Sequence, residues 1–358
     1  MGLAIFWFVA IAALWTGFFV LEGFDFGVGM LHRLVGRTDA ERRVAINTIG
    51  PLWDGNEVWL IVAGAGMFAA FPIWYATMFS GFYLALVVLL VALIVRGVSF
   101  EYRGKRAGAR WRGTWSWTLT LGSLVAPLLL GVALGDLLYG VPIDASQEYT
   151  GDLLDLLTPY GLYVGVTLVL LCAVHGAVFL ALKSEDAVRE RAERAARRIA
   201  VVAALAVLIL AVWTQVAVDG RIVAVVLQVA AVLAVIAVPW LIRDGHAGRA
   251  FAMTTVAMAA TVVTIFIDLY PRVMVSSTNA AYDLTIENAS SASYTLKVMT
   301  IIVAVFLPLV LLYQGWSYYV FRRRIAATDL EPQGTDRPAP PPTGLSAPPT
   351  APAAPAGD

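Results

Sequence analysis

The sequence predicts an all-α integral membrane protein of about nine transmembrane helices, with the N-terminus outside and the C-terminus in the cytoplasm. Three observations predict it. Hydrophobic residues fill 59% of the 358 positions and charged residues only 14%, with a mean hydropathy of +0.77, far from the balance of a water-soluble domain. The apolar residues gather into runs that can cross a hydrocarbon core of about 30 Å as helix, roughly twenty residues each. The basic residues fall almost wholly on one side of those runs.

In order, the runs lie near 3–31, 57–71, 75–96, 116–139, 160–182, 199–218, 222–242, 250–270 and 297–321. The first has no small-residue cleavage site and continues directly into GFDFGVGM, so it reads as a span and not as a removable signal peptide. The second is short and rich in glycine, which implies a tilt, a locally thinned bilayer or a start before Glu57. The tract EDAVRERAERAARR (185–198) is amphipathic and extends the fifth or sixth helix at the inner surface, where its arginines favour anionic lipid. The loop RVMVSSTNAAYDLTIENASSASYTL (272–296) is long and polar enough to fold over the outer face.

Alternate loops carry Arg33, Arg37, Arg42 and Arg43; Arg96, Arg103, Lys105, Arg106, Arg110 and Arg112; Lys183, Arg189, Arg191, Arg194, Arg197 and Arg198; and Arg243 and Arg249. With Arg322, Arg323, Arg324 and Arg337 they make 22 of the 25 basic residues, and only Arg221, Arg272 and Lys297 fall on the other side. The crowded side is the cytoplasm, and adding or removing one span would scramble the alternation. The chain thus divides into a transmembrane helical domain, 1–325, and a tail, 326–358. That tail holds 9 of the 17 prolines and too little apolar surface to offset its ordering entropy, so it is expected to be disordered.

Several kinds of chemistry are excluded by counting. Cys172 is the single cysteine, and His32, His175 and His246 are the only histidines, of which His175 alone lies within a span. A bis-histidine haem site inside this chain is not available, no spacing suggests another metal site, and His175 reads as a hydrogen-bonded packing residue. No phosphate loop, nucleophile elbow or nucleotide fingerprint is present, and nothing points to nucleic acid.

The acids are where function is sought. Asp54 and Glu57, in PLWDGNEVWL (51–60), lie three residues apart at the cytoplasmic start of the second span, and Glu22 and Asp25 have the same spacing roughly 30 Å along the first. Two acid pairs are thereby brought to one depth. Asp54 and Glu57 also fit a capping-box-like pattern, and Trp53 and Trp59 fit an interfacial aromatic belt. Glu22 and Asp25 are harder to explain structurally, since the C-terminal end of a helix disfavours anions. Acids so placed pair with a base, Asp25 with Arg33 or with an arginine of the next span's loop, or they handle protons. Gly23, Gly27 and Gly29, continued by Gly64 and Gly66, predict close helix packing.

GFDFGVGM (23–30), GRTDAERR (36–43), INTIGPLWDGNEVWL (46–60), AAFPIWYATMFSGFY (69–83), FEYRGK (100–105), GVPI (140–143) and SST (276–278) follow in the order and spacing of subunit II of the cytochrome bd quinol oxidases. The chain resembles that family over residues 1 to about 325. Glu57 stands where the family often has Gln, and Glu101 where it often has Asp. The resemblance implies two four-helix bundles plus a peripheral helix in a bacterial cell membrane, paired with a haem-bearing subunit I. That partner would hold haem b and haem d, while quinol and dioxygen are the substrates of the complex. This subunit would bind no haem, stabilise its partner and supply cytoplasmic protons. Position by position, the resemblance places Trp53, Asp54 and Asp25 on the proton path and Trp59 on an oxygen route. Glu22, Glu57 and Glu101 join the path on position alone. Some members of the family carry a structural quinone in this subunit, or a small accessory subunit in the complex. Two other readings stand beside this one: a purely structural subunit, and a stand-alone secondary transporter, for which no inverted repeat is evident.

Overall fold

The computed structural model describes residues 1–218 and 220–326, and these are almost wholly helical. Helix α1 (Gly2–Val35) is followed by the short α2 (Asp39–Ile49), at the end of the bundle expected to be cytoplasmic. Helices α3 (Trp53–Ala70), α4 (Pro72–Gly81), α5 (Tyr83–Tyr102) and α6 (Ala109–Tyr139) follow, then α7 (Pro159–Lys183), α8 (Asp186–Ala217), α9 (Ile222–Arg243) and α10 (Ala247–Leu269). A small hairpin, β1 (Arg272–Met274) and β2 (Leu284–Thr285), precedes α11 (Ser293–Val320). The proline-rich tail from 327 onward lies outside the described residues.

Among the described residues, eight helices are long and apolar enough to cross a membrane. The ninth expected span, α3, has 18 residues, and Asp54, Asn56 and Glu57 occupy its first turns, which leaves it short of apolar length. It begins at Trp53 rather than near Glu57, and the next span is broken at Phe82 into α4 and α5. The tract from 185 lengthens the sixth span, since α8 runs unbroken from Asp186.

Helices α1, α3, α5 and α6 pack as one bundle and α7 to α10 as a second, joined where α1 and α6 meet α7 and α10. Helix α11 lies outside both, with Leu296 its only buried residue. Lipid gives two helices no hydrophobic reason to associate, so close packing has to hold the bundles together. A Cβ added at Gly27 would stand 1.9 Å from the Cys172 carbonyl oxygen and 2.7 Å from Gly176 Cα, and at Gly29 it would stand 2.0 Å from Ser123 Oγ. Gly23 is less tight, against Met258 and Cys172, while Gly64 touches nothing and Gly66 makes only ordinary contacts, so the last two are not packing glycines. Gly27→Ala is therefore expected to push α1 away from α7 at a cost of about 1–3 kcal/mol, the usual range for overpacking. Gly64→Ala should be neutral, and thermal unfolding of the two variants in detergent checks both.

The loops at the two ends are built in different ways. Outside, GVPI and SST meet: Val141 N–H donates to the Val275 carbonyl, Ser277 N–H to the Val141 carbonyl and Ser276 Oγ to the Ile143 carbonyl. Gly140 turns the chain there with φ +107°, a conformation that favours glycine. Inside, Thr38 and Glu41 form a true capping box at the start of α2. Glu41 also reaches Arg191 of α8 at 2.5 Å. Burial pushes the Glu41 carboxyl up, but hydrogen bonds from Thr38, Arg191 and Arg37 outweigh it and hold it below the ordinary range.

Candidate functional site

Four helices of the first bundle, with α11 at its edge, bring a set of acids around one arginine. Arg96 of α5 is fully buried and its three nitrogens reach in three directions: Nη2 lies 2.6 Å from Glu22 Oε1, Nη1 donates to Glu57 Oε2 at 3.2 Å, and Nε donates to Ser123 Oγ of α6 at 3.3 Å. The rings of Phe26, Phe100 and Trp53 stand 4.8, 5.4 and 5.9 Å from the guanidinium carbon, a wall of aromatic faces suited to a delocalised cation. Trp53 is fixed by stacking on Phe100 at 4.7 Å.

Beside this arginine site, Asn56 of α3 ties α1 to α11. Its Nδ2 donates to Asp25 Oδ2 at 2.6 Å and to the Leu21 carbonyl at 3.2 Å, while its Oδ1 accepts from Gln314 Nε2 at 2.8 Å and Tyr318 OH at 2.9 Å. Glu22 and Asp25 sit one turn apart on α1, both fully buried, and their carboxyl groups face each other. Glu22 Oε2 and Asp25 Oδ1 have no hydrogen-bond donor among the described residues. One guanidinium cannot neutralise the carboxyls of Glu22, Asp25 and Glu57 together, and a buried charge left unpaired is expensive. Protons taken up by the acids would restore the balance.

Of the predicted site residues, Glu22, Asp25, Glu57 and Trp53 come together here. Asp54 is exposed one turn before Glu57, on the face of α3 that also shows Val58, Ile61 and Val62. Two expectations need correction. Asp54 and Glu57 do not form a capping box, because the N-cap is Leu52 and both acids already lie inside the helix. Asp25 does not pair with Arg33, which stands instead over the Trp117 ring at 4.1 Å; its partner is Asn56. Glu101 is exposed and outside the cluster, and Trp59 packs over Gly17 of α1. Arg96, read from sequence as a loop residue, lies within α5, and Asn56, Gln314 and Tyr318 drew no attention in the sequence. The signal for Arg96 was an arginine directly following an unbroken apolar run; Asn56 was visible as an amide between two acids.

His175 donates or accepts at both ring nitrogens, Nδ1 with Thr254 Oγ1 at 2.6 Å and Nε2 with the Val20 carbonyl at 3.1 Å, and it stacks on Phe251 at 4.6 Å. It is a packing residue, as expected. No group of three or more His, Cys, Asp or Glu side chains is placed to hold a metal ion among the described residues.

Residues 3–321 match the family described as cytochrome bd terminal oxidase subunit II. The chain is 46% identical over 325 residues to cytochrome bd ubiquinol oxidase subunit 2 of Bacillus subtilis, covering 89% of this chain and 96% of that one. It is 38% identical over 362 residues to cytochrome bd-I ubiquinol oxidase subunit 2 of Escherichia coli K12, covering 91% and 96%. Among solved structures, a chain of the bd oxidase from Geobacillus thermodenitrificans shares the fold at 19% identity, with a TM-score of 0.69 over 89% of this chain and 97% of that one. The chain, with its spans and its motifs in order, belongs to the cytochrome bd terminal oxidase subunit II family.

Proposed function

We propose that this chain is the haem-free subunit of an electrogenic quinol oxidase in a bacterial plasma membrane, where it stabilises the haem-bearing subunit I and admits cytoplasmic protons for the reduction of dioxygen to water. The observation that carries the reading is a graded line of acids. Asp54 is exposed at the cytoplasmic start of α3, Glu57 is 21% exposed, and Glu22 and Asp25 are wholly buried around Arg96 and Asn56. An exposed carboxylate collects protons, a half-buried one passes them on, and a buried group bears the charge only briefly. If quinol releases its protons outside while these acids draw theirs from the cytoplasm, charge separates without a pump.

The partner's place is supported by what this chain leaves uncovered. Only 6% of the most apolar stretch of α11 is buried, and α3 beside it shows Ile61 at 69% exposure. Asp54 on that same face would be expensive against lipid, which favours a protein neighbour there. The engagement of both His175 nitrogens supports haem being held by the partner. An apolar groove of about 960 Å³ among α3, α4, α5 and α6 is large enough for the tail of a structural quinone. Family membership sets the transporter reading aside.

The test is Asp54→Asn in the complete purified complex. Oxygen uptake driven by quinol should fall by up to about tenfold, the low end of what charge focusing contributes, while haem reduction by quinol stays near wild type. Equal loss of both, together with loss of haem, would favour a purely structural subunit.

A further inference from the structure

The second bundle holds a polar site far from the acid cluster. Tyr160, Thr214, Gln228, Thr261, Thr264 and Asp268 come from all four of its helices and line a cavity of about 10 Å³ near their outer ends. Gln228 is 6% exposed and Asp268 is 5% exposed, and both keep an unpartnered acceptor, Gln228 Oε1 and Asp268 Oδ2, among the described residues.

The hydroxyl protons around this cavity are already spent. Thr214 donates to the Leu210 carbonyl, Thr261 to the Ala257 carbonyl and Thr264 to the Thr261 carbonyl, each at 2.8 Å. With the Thr214 proton committed, the 2.8 Å contact between Tyr160 OH and Thr214 Oγ1 has tyrosine as the donor. The unpartnered buried atoms of this lining, among the described residues, are both oxygens, one of them on a carboxylate. Neither nearby arginine neutralises the free carboxylate oxygen by contact, since Arg272 reaches only the Asp268 backbone carbonyl, at 3.5 Å, and stands 3.9 Å from Asp283. Arg221 gives its backbone N–H to Asp268 Oδ1 at 2.8 Å, while its guanidinium binds the Tyr270 carbonyl and lies 5.4 Å from the Tyr270 ring centre.

We propose that this cavity binds one dehydrated monovalent cation of sodium size, coordinated by Asp268 Oδ2, Gln228 Oε1 and the threonine hydroxyl oxygens. A single water could donate to both unpartnered oxygens, Gln228 Oε1 and Asp268 Oδ2, but it brings no charge to offset the buried carboxylate. Hard oxygen donors suit an alkali or alkaline-earth ion, and a lone carboxylate is too little charge for calcium, which gathers several. The volume is that of about one water, which fits sodium or lithium better than potassium. The ion would pin the outer ends of α7 to α10 together. It stands independently of the proton reading, because the two sites share no residue.

The test uses the complete oxidase in lipid nanodiscs with radioactive sodium chloride as the probe in equilibrium dialysis. The expected result is saturable binding of one ion, displaced by lithium and not by choline. Affinity should drop about tenfold or more in Asp268→Asn and in Gln228→Leu, with the haem spectrum unchanged. Absence of saturable binding overturns the proposal, whether a water occupies the cavity or the Gln228 amide turns to donate to Asp268. Binding retained in both variants overturns it too, since the ion would then sit elsewhere. If Asp268→Asn does not assemble, Thr264→Val removes one ligand at nearly constant shape; unchanged affinity in that variant is equally fatal.

Discussion

Replacing Arg96 by leucine is expected to abolish accumulation of the assembled, haem-loaded complex. The side chain is fully buried, and its fork holds Glu22 at 2.6 Å and Glu57 at 3.2 Å while touching Ser123 at 3.3 Å, so it joins α1, α3, α5 and α6 at one point. Removing one partner of a buried ion pair typically costs about 3–5 kcal/mol, because the other is left charged without compensation. Here two acids would be left. Arg96→Lys should also be impaired, since a single ammonium cannot serve three directions. The decisive comparison is the double variant Arg96→Leu, Glu22→Leu, which removes the principal charge pair together. Haem content of purified membranes should recover in that variant relative to Arg96→Leu, because an apolar replacement of a whole pair is often neutral. Should Arg96→Leu alone assemble at wild-type levels, the cluster is not what braces this bundle.

How much of this was legible beforehand follows from which physical signals are local. The spans could be read because apolar runs are properties of the chain itself, and α11 and α8 end close to where the hydropathy does. Boundaries failed where a polar segment was helical for tertiary reasons. WDGN looks like a helix entrance, yet α3 already includes it, because Asn56 is satisfied by Asp25 and Leu21 of α1 and by Gln314 and Tyr318 of α11. None of those partners lies within thirty residues in sequence, so no local pattern can announce them. The same holds for Arg96: counted with the cytoplasmic loop, it lies instead inside α5, fully buried. The glycines divided likewise. Gly27 meets Gly176 across α1 and α7, whereas Gly64 faces open space, and only the partner helix distinguishes them.

The other large effect concerns turnover. Asp25→Asn should lower quinol-driven oxygen uptake by about 10²-fold, the lower end of what a positioned proton-transfer group contributes. The substitution is chosen because it leaves the packing nearly untouched. An asparagine at 25 keeps the shape of the side chain and can still accept from Asn56 Nδ2, the 2.6 Å bond that ties α1 to α3, so haem content and thermal stability should stay near wild type. What it removes is the ability to gain and lose a proton between Glu22 and Asn56. Structural and proton-carrying roles therefore separate cleanly at this residue. A brace survives the exchange of carboxylate for amide, and a carrier does not. Rapid-mixing spectra add a second readout. In Asp25→Asn the electron-transfer steps that need no cytoplasmic proton should keep their rates, and the later steps of oxygen reduction should slow together with the build-up of membrane potential. Unchanged turnover in Asp25→Asn, with Glu22→Gln equally silent, would mean that the buried acids only hold the helices and that protons reach the oxygen chemistry by another route.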